Sequence, residues 1–143
     1  MPERRPRLEG KVAVVTGAGT SGEGVGNGKA AAVLFAREGA KVLLVDMDLA
    51  RAEETRVMIE EEGGVASVFE ADVTSGDQCA AMAQAAVDRY GRLDILDNNV
   101  GISARGSVVD VTEEIWDRIM TVNVKTIYQA SRACIPKMIE TGG

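Results

Sequence analysis

Apolar residues along this chain fall into short runs that are separated by longer stretches of helical periodicity. The short runs begin at Val12, Val42, Val65 and Leu93, and each is followed by glycines, acids or asparagines. Strands that are buried on both faces of a parallel sheet read as continuous apolar runs. Because such strands alternate here with helical stretches, the pattern predicts an α/β fold, a doubly wound parallel sheet with strand order 3-2-1-4.

The boundaries of the elements follow from capping and turn residues. Strands are expected at 12–15, 42–45, 65–69 and 93–96, and helices at 29–38, 49–62, 75–90 and 113–140. Asp48 is a suitable N-cap for the second helix, Thr74 or Ser75 for the third, and Gly91 ends the third helix. Pro136 is expected to kink or tighten the last turns of the long final helix.

The segment from Gly17 to Gly28 contains six glycines, counting both ends, and lies directly after the first strand and before an alanine-rich helix. Glycines let the backbone turn sharply and approach a pyrophosphate, and a helix that starts there directs free N–H groups at the anion. Asp46 ends the second strand, 18 residues after Gly28, where its carboxylate can accept hydrogen bonds from an adenosine ribose. The order of strand, glycine loop, helix, strand and acid indicates a dinucleotide site.

Composition narrows the possible partners. The 143 residues carry a net charge of −6 and only 3% aromatic residues, which argues against nucleic acid as a partner. No apolar run is long enough to span a membrane. The absence of histidine excludes a His triad or a His metal site, and no metal site is predicted. Cys79 and Cys134 are expected to be buried free thiols in a reducing cytoplasm.

Four motifs in order give the chain a resemblance to the short-chain dehydrogenase/reductase family. They are Thr16-Gly17, Asp72-Val73, Asn98-Asn99-Val100-Gly101 and Asn123. The resemblance implies a partial Rossmann-type sheet, with residues 1–10 as a flexible tail and 11–143 as an incomplete NAD(P)-binding domain. It implies NAD as cofactor, with NADP disfavoured by Asp46, and an alcohol or ketone as substrate. The implied cofactor-binding residues are Gly17, Gly26, Asn27, Gly28, Asp46, Asp72, Val73, Asn98 and Gly101, and the implied catalytic residue is Asn123.

Three departures from the family pattern stand out. The family motif TGxxxGxG is lengthened here by an insertion at 21–25, which makes the middle glycine ambiguous, and Asn27 stands where a branched aliphatic residue is usual. Val100 replaces the alanine of NNAG. The sequence ends at Gly143, before the family's serine and Tyr-x-x-x-Lys, so we expect this piece to bind cofactor without significant turnover. Its fourth strand should then be a bare, aggregation-prone edge.

Two alternatives stay open at this point. A methyltransferase of similar architecture also uses a glycine loop and acids after the second and third strands, although the Thr-Gly start and Asn98-Asn99 have no role there. A non-catalytic dinucleotide-binding module would need no Tyr-x-x-x-Lys. The long helix that starts at Glu113 resembles the family's subunit-pairing helix, which favours a dimer or tetramer of the complete protein.

Overall fold

The computed structural model describes residues 5–20 and 24–143, which form a four-stranded parallel sheet between two layers of helices. The strands are β1 Val12–Thr16, β2 Lys41–Asp46, β3 Val65–Glu70 and β4 Ile95–Asn98. The helices are α1 Asn27–Arg37, α2 Leu49–Glu61, α3 Gly76–Tyr90, α4 Glu113–Met120 and α5 Thr126–Thr141, with a π-helical segment at Thr121–Lys125 between the last two.

The predicted sheet topology is confirmed. The strand order is β3-β2-β1-β4, and every neighbouring pair is parallel. Among the residues that the structure covers, β4 pairs with β1 alone and therefore forms one edge of the sheet. At the other edge, Arg89 of α3 donates to the Val68 carbonyl of β3 at 2.8 Å. One carbonyl of the β3 edge thus has a side-chain partner, and within residues 5–20 and 24–143 no further strand pairs with either edge.

Two apolar layers enclose the sheet. Alternate β-strand residues such as Val14 and Leu43 pack against α3 and α5, and the residues between them, such as Val15 and Leu44, pack against α1 and α2. Both β1 and the central part of β2 are completely buried. The parallel arrangement places the carboxyl ends of all four strands at a single edge of these layers, where the polar and glycine residues follow.

Most helix ends lie where the sequence predicts them. Asp48 accepts a hydrogen bond from the Arg51 amide at the start of α2, and Ser75 accepts one from the Gln78 amide at the start of α3. Gly91 ends α3 in the left-handed conformation with φ of 83°. Side chains and glycine thus satisfy the helix termini in the way the sequence indicates.

The fourth strand begins later than predicted. Leu93 is fully buried, but the ladder with β1 starts only at Ile95, which lies opposite Ala13. The preceding residue, Asp94, binds the main chain of Val12 instead: its amide donates to the Val12 carbonyl, and its carboxylate accepts the Val12 amide, both at 2.9 Å. At its other end, strand β4 extends through the polar pair Asp97-Asn98, whereas the sequence predicts that it ends at Leu96.

The predicted flexible tail is partly packed. Leu8 contacts the α1 and α2 layer, and its amide donates to the Glu38 carbonyl at 2.7 Å. Arg7 forms an ion pair with the Glu38 carboxylate at 3.0 Å. Residues 7–10 form a turn against the end of α1, so the packed domain begins before residue 11, whereas residues 1–4 lie outside the described part.

The long helix predicted for 113–140 is divided by its π-helical segment. Its first residue follows Thr112, whose hydroxyl accepts the Ile115 amide at 3.3 Å. Helix α5 then runs through Pro136 to Thr141. Much of the apolar surface of this region is open to solvent, since Trp116 is 58% exposed and Val124 51%. Within residues 5–20 and 24–143, no helix combines the length and apolar character needed to cross a membrane.

Candidate dinucleotide-binding site

A cleft lies at the carboxyl ends of the strands. Five of the residues predicted to bind cofactor line it together: Gly17, Asp46, Asp72, Val73 and Gly101. They come from the ends of all four strands, as the parallel topology requires. Other lining residues are Gly19, Thr20, Val45, Met47, Arg51, Ala71, Thr74, Asn99, Val100 and Val122.

Gly17 and Gly28 bring the first strand and the first helix into direct contact. Gly17 has φ of 64°, which disfavours side chains, and leads the chain out of β1. A Cβ atom on Gly28 would lie 2.0 Å from the Gly17 carbonyl oxygen. No side chain fits at Gly28, so its role in this structure is the close approach of helix to strand that dinucleotide sites require.

Helix α1 begins directly after the glycine loop, but Gly26, Asn27 and Gly28, which the sequence predicts to bind cofactor, do not line the cleft. Gly26 is the N-cap in an extended conformation and provides no side-chain acceptor, and Asn27 is the first helical residue. The Gly26 carbonyl already accepts the Ala30 amide at 2.9 Å. The first amides of an α-helix have no acceptor within the helix, and residues 5–20 and 24–143 provide none for those of Asn27 and Gly28; the helix dipole favours an anion there.

Asp46 is held in one orientation by two main-chain amides. One carboxylate oxygen accepts the Gly19 amide at 2.9 Å and the other accepts the Asp48 amide at 3.0 Å. A carboxylate has about four acceptor sites, so each oxygen keeps capacity for a further donor. Arg51 is close to this acid but forms its ion pair with Asp48 at 3.1 Å. Asp46 is thus a fixed acceptor that faces the cleft.

Asp72 and Val73 provide a second set of polar groups that line the cleft. One oxygen of Asp72 accepts both the amide and the hydroxyl of Thr74, at 2.9 and 2.7 Å, which leaves the second oxygen available. The Asp72 amide donates to the Gln78 side chain at 2.7 Å. In the part of the chain that the structure describes, the Val73 amide has no acceptor. One acceptor and one donor therefore stand side by side, as an adenine edge requires.

Asn123 lies in the π-helical segment and binds the main chain after Gly101. Its side-chain oxygen accepts the Ile102 amide at 2.7 Å, and its side-chain nitrogen donates to the Ile102 carbonyl at 2.8 Å. π-helical turns are rare and occur frequently at functional sites. Both polar atoms of the side chain are used, so Asn123 fixes the loop that follows Gly101.

Asn98 and Asn99 have different surroundings. Asn98 is the last residue of β4, opposite Thr16, and does not line the cleft, whereas Asn99 does. The Thr16 hydroxyl donates to the Asp97 carbonyl at 3.4 Å and accepts the Asn99 amide at 3.3 Å. The Asn99 side-chain nitrogen is buried and has no partner among residues 5–20 and 24–143. Asn99, which the sequence indicates only as a member of the Asn98-Asn99-Val100-Gly101 motif, is thus a donor beside the glycine loop.

The two cysteines are buried and free, as predicted. Burial raises the pKa of the Cys79 thiol, and the nearby Asp72 carboxylate raises it further. Burial likewise raises the pKa of Cys134 to about 12, with a smaller contribution from Cys79. Neither thiol is therefore a nucleophile at neutral pH. The described residues also contain no cluster of side chains suited to a metal ion.

Comparison with known proteins identifies the family. The short chain dehydrogenase family model matches residues 11–143, and the chain belongs to this family. It is 42% identical over 134 residues to 2-(S)-hydroxypropyl-CoM dehydrogenase 3 from Xanthobacter autotrophicus, covering 94% of this chain and 51% of that protein. It is 36% identical over 134 residues to the 3-oxoacyl-[acyl-carrier-protein] reductase FabG from Thermotoga maritima, covering 94% of this chain and 52% of that protein.

The fold is similarly matched among solved structures. A hydroxysteroid dehydrogenase from Escherichia coli superimposes with a TM-score of 0.87 at 33% identity, over 97% of this chain and 57% of that one. The chain thus spans about half the length of the relatives it matches. The family assignment leaves the methyltransferase alternative without support.

Proposed function

We propose that this chain is the dinucleotide-binding part of an NAD-dependent oxidoreductase of the short-chain dehydrogenase/reductase type. When bound, the nicotinamide ring supplies or accepts the hydride, and the protein supplies position and electrostatics. The substrate class is a small alcohol or carbonyl compound. The observation that carries the proposal is the convergence of Gly17, Asp46, Asp72 and Val73 on one cleft at the strand ends.

Each part of the site fits a part of a dinucleotide. The amides of Asn27 and Gly28 suit a pyrophosphate, because they lie at the positive end of α1. The Gly28–Gly17 approach, which a single Cβ would prevent, is the close packing that such a loop needs. The free oxygen of Asp72 and the free amide of Val73 suit an adenine, which carries adjacent donor and acceptor atoms.

The orientation of Asp46 supports NAD over NADP. Its carboxylate is fixed by Gly19 and Asp48 and has acceptor sites left for ribose hydroxyls. A phosphate at the ribose 2′ position would meet a negative charge that cannot turn away. Arg51, which also lines the cleft, is paired with Asp48, so the local charge balance also disfavours an added phosphate.

Asn123 is proposed to hold a water of the proton relay in the complete protein. Both of its side-chain polar atoms are bound to Ile102, so its side chain also holds the Gly101–Ile102 segment. This segment lies at the end of the cleft opposite Asp46 and Asp72, where the nicotinamide would lie if the adenosine binds at the acids.

An exposed apolar stripe supports a homo-oligomer of the complete protein. Trp116, Met120, Val124 and Tyr128 recur every four residues along α4, the π-helical segment and α5, and are 39–58% exposed. Contiguous apolar surface of this kind is typical of an interface. The two free thiols suit a reducing compartment, and we place the protein in the cytoplasm.

The test is a titration of the protein with NADH and NADPH, followed by nicotinamide fluorescence. We expect NADH to bind more tightly, and Asp46→Asn to weaken NADH by roughly tenfold or more, since hydrogen bonds to a charged group are lost. Asp48→Asn is the matched control, because it makes the same change of charge two residues away and asparagine also caps helices. Absence of NADH binding by the wild-type protein, or equal effects of both variants, would contradict the proposal.

A further inference from the structure

A hydrogen bond joins the two ends of the insertion in the glycine loop. The Thr20 hydroxyl oxygen accepts the Gly26 amide at 3.0 Å, across the inserted residues 21–25. A Cβ on Gly26 would lie only 3.5 Å from that oxygen and 3.8 Å from the Thr20 methyl carbon, so the threonine side chain lies directly against Gly26. Thr20 and Gly26 are thus in direct contact although six positions separate them in the sequence.

The residues before the insertion are fixed one after another. The buried Thr55 hydroxyl of α2 donates to the Ala18 carbonyl at 2.8 Å, and the Gly19 amide donates to Asp46. On the far side of the insertion, Gly26 begins α1, and α1 packs on β1 through Gly28. Thr20 is therefore the last residue of one fixed segment, and Gly26 is the first residue of the next.

We propose that Thr20 is a positioning residue that compensates for the insertion. In the family motif the residue at the position of Thr20 is bonded directly to the next glycine, whereas here residues 21–25 separate Thr20 from Gly26. The Thr20 hydroxyl instead holds Gly26, and with it the first amides of α1, where a pyrophosphate would be bound. The inference rests on the proposed dinucleotide binding. It states that the Thr20–Gly26 hydrogen bond allows the lengthened loop to bind the nucleotide.

Removal of the insertion should make this hydroxyl dispensable. Deletion of residues 21–25 joins Thr20 directly to Gly26 and leaves the sequence TGAGTGNG, which has the TGxxxGxG spacing. In the deletion variant a peptide bond holds Gly26 next to Thr20, as the hydrogen bond does in the natural chain. Because Thr20 also lines the cleft, a direct contact of its hydroxyl with the nucleotide is the competing explanation, and this contact would persist after the deletion.

The experiment compares five proteins: wild type, Thr20→Val, Thr20→Ser, the deletion of 21–25, and the deletion combined with Thr20→Val. NADH affinity is measured by fluorescence. We expect Thr20→Val to weaken binding roughly three- to tenfold, which corresponds to one lost hydrogen bond, and Thr20→Ser to bind as wild type. In the deletion background, Thr20→Val should have no effect.

A readout independent of the nucleotide accompanies the titration. Amide hydrogen exchange of Gly26, followed by NMR, should be slow in wild type and Thr20→Ser and faster in Thr20→Val. Wild-type affinity in Thr20→Val, unchanged Gly26 exchange, or an equal loss of affinity in both backgrounds would each overturn the inference. If wild type fails to bind NADH, the proposed function fails, whereas the Gly26 exchange still decides whether Thr20 holds the loop.

Discussion

Asn123 holds both main-chain polar groups of Ile102, at 2.7 and 2.8 Å, from within a π-helical turn. Replacement by alanine removes both hydrogen bonds, so we expect Asn123→Ala to lower the free energy of unfolding by about 1–2 kcal/mol. Exchange of the Ile102 amide should accelerate at the same time. Lys125→Ala, an exposed change in the same segment, is the control for both measurements. Unchanged exchange at Ile102 would show that the contact does not hold this loop.

Gly28→Ala should be severely destabilising. The added methyl group would lie 2.0 Å from the Gly17 carbonyl oxygen, and main-chain atoms cannot move away as a flexible side chain can. We expect a loss of about 3 kcal/mol in thermal or denaturant unfolding. Gly26→Ala is the matched control for stability, because its Cβ would meet only ordinary contacts at 3.5 Å and its φ of −76° suits alanine. Similar melting temperatures for the two variants would refute the close approach of α1 to β1.

Asp94 should make stability depend on pH in the acid range. Its side chain is 2% exposed, and hydrogen bonds from Arg92, with help from the Val12 amide, hold the pKa of the carboxyl below its ordinary value. A lowered folded pKa stabilises the protein above the unfolded pKa of about 4, and this stabilisation disappears as the pH falls through the folded pKa.

The corresponding variant is Asp94→Asn, which should cost about 2 kcal/mol at neutral pH. The difference in melting temperature from wild type should stay constant down to about pH 4 and shrink below it. Asp117→Asn, at an exposed position of α4, provides the control and should show no such change. A difference that is independent of pH from 5 to 2.5 would contradict this assignment.

The exposed stripe on α4 and α5 predicts a change in association. Val124→Glu places a charge in the middle of the stripe, and desolvating it in an interface is costly. We expect sedimentation to shift from oligomer to monomer. Val57→Glu on α2 makes the same substitution at a similarly exposed position, 43% against 51%, and should leave the distribution unchanged. An equal shift in both variants would indicate a general effect of charge rather than an interface.

Binding and turnover should separate in these 143 residues. Reduction of a carbonyl needs a positioned proton donor tuned near neutral pH, and no Tyr-x-x-x-Lys occurs in the sequence. We expect NADH binding without a measurable rate toward a panel of simple alcohols and ketones. An NAD-dependent rate that disappears in Asn123→Ala would contradict this expectation.

The sequence predicted the parts of the site that depend on residue type and order. Gly17, Gly28 and Asp46 are recognisable because a glycine loop between a strand and a helix, followed by an acid, has few other uses. The strand order followed from the alternation of helices and strands. These features are local or topological, and the structure confirms the strand order.

Features that depend on hydrogen bonds between distant residues were not predicted. Apolar character suggested a strand from Leu93, whereas the bonds of Asp94 to Val12 delay the ladder until Ile95. The π-helical turn around Asn123 could not be predicted, because apolar residues with helical spacing continue both before and after it in the sequence. Strand alternation could have separated Asn98 from Asn99, because neighbouring residues of a strand point to opposite faces.

The two edge strands of the sheet, β3 and β4, differ in how they can pair with an additional strand. Arg89 occupies the Val68 carbonyl at the β3 edge, while the main chain of β4 faces outward without a partner in the described residues. Because β4 and β3 lie at opposite edges of the sheet, a strand added along β4 would extend the sheet away from the acids that would hold adenosine. A strand added there would lengthen the cleft at its nicotinamide end and leave the adenosine end unaltered.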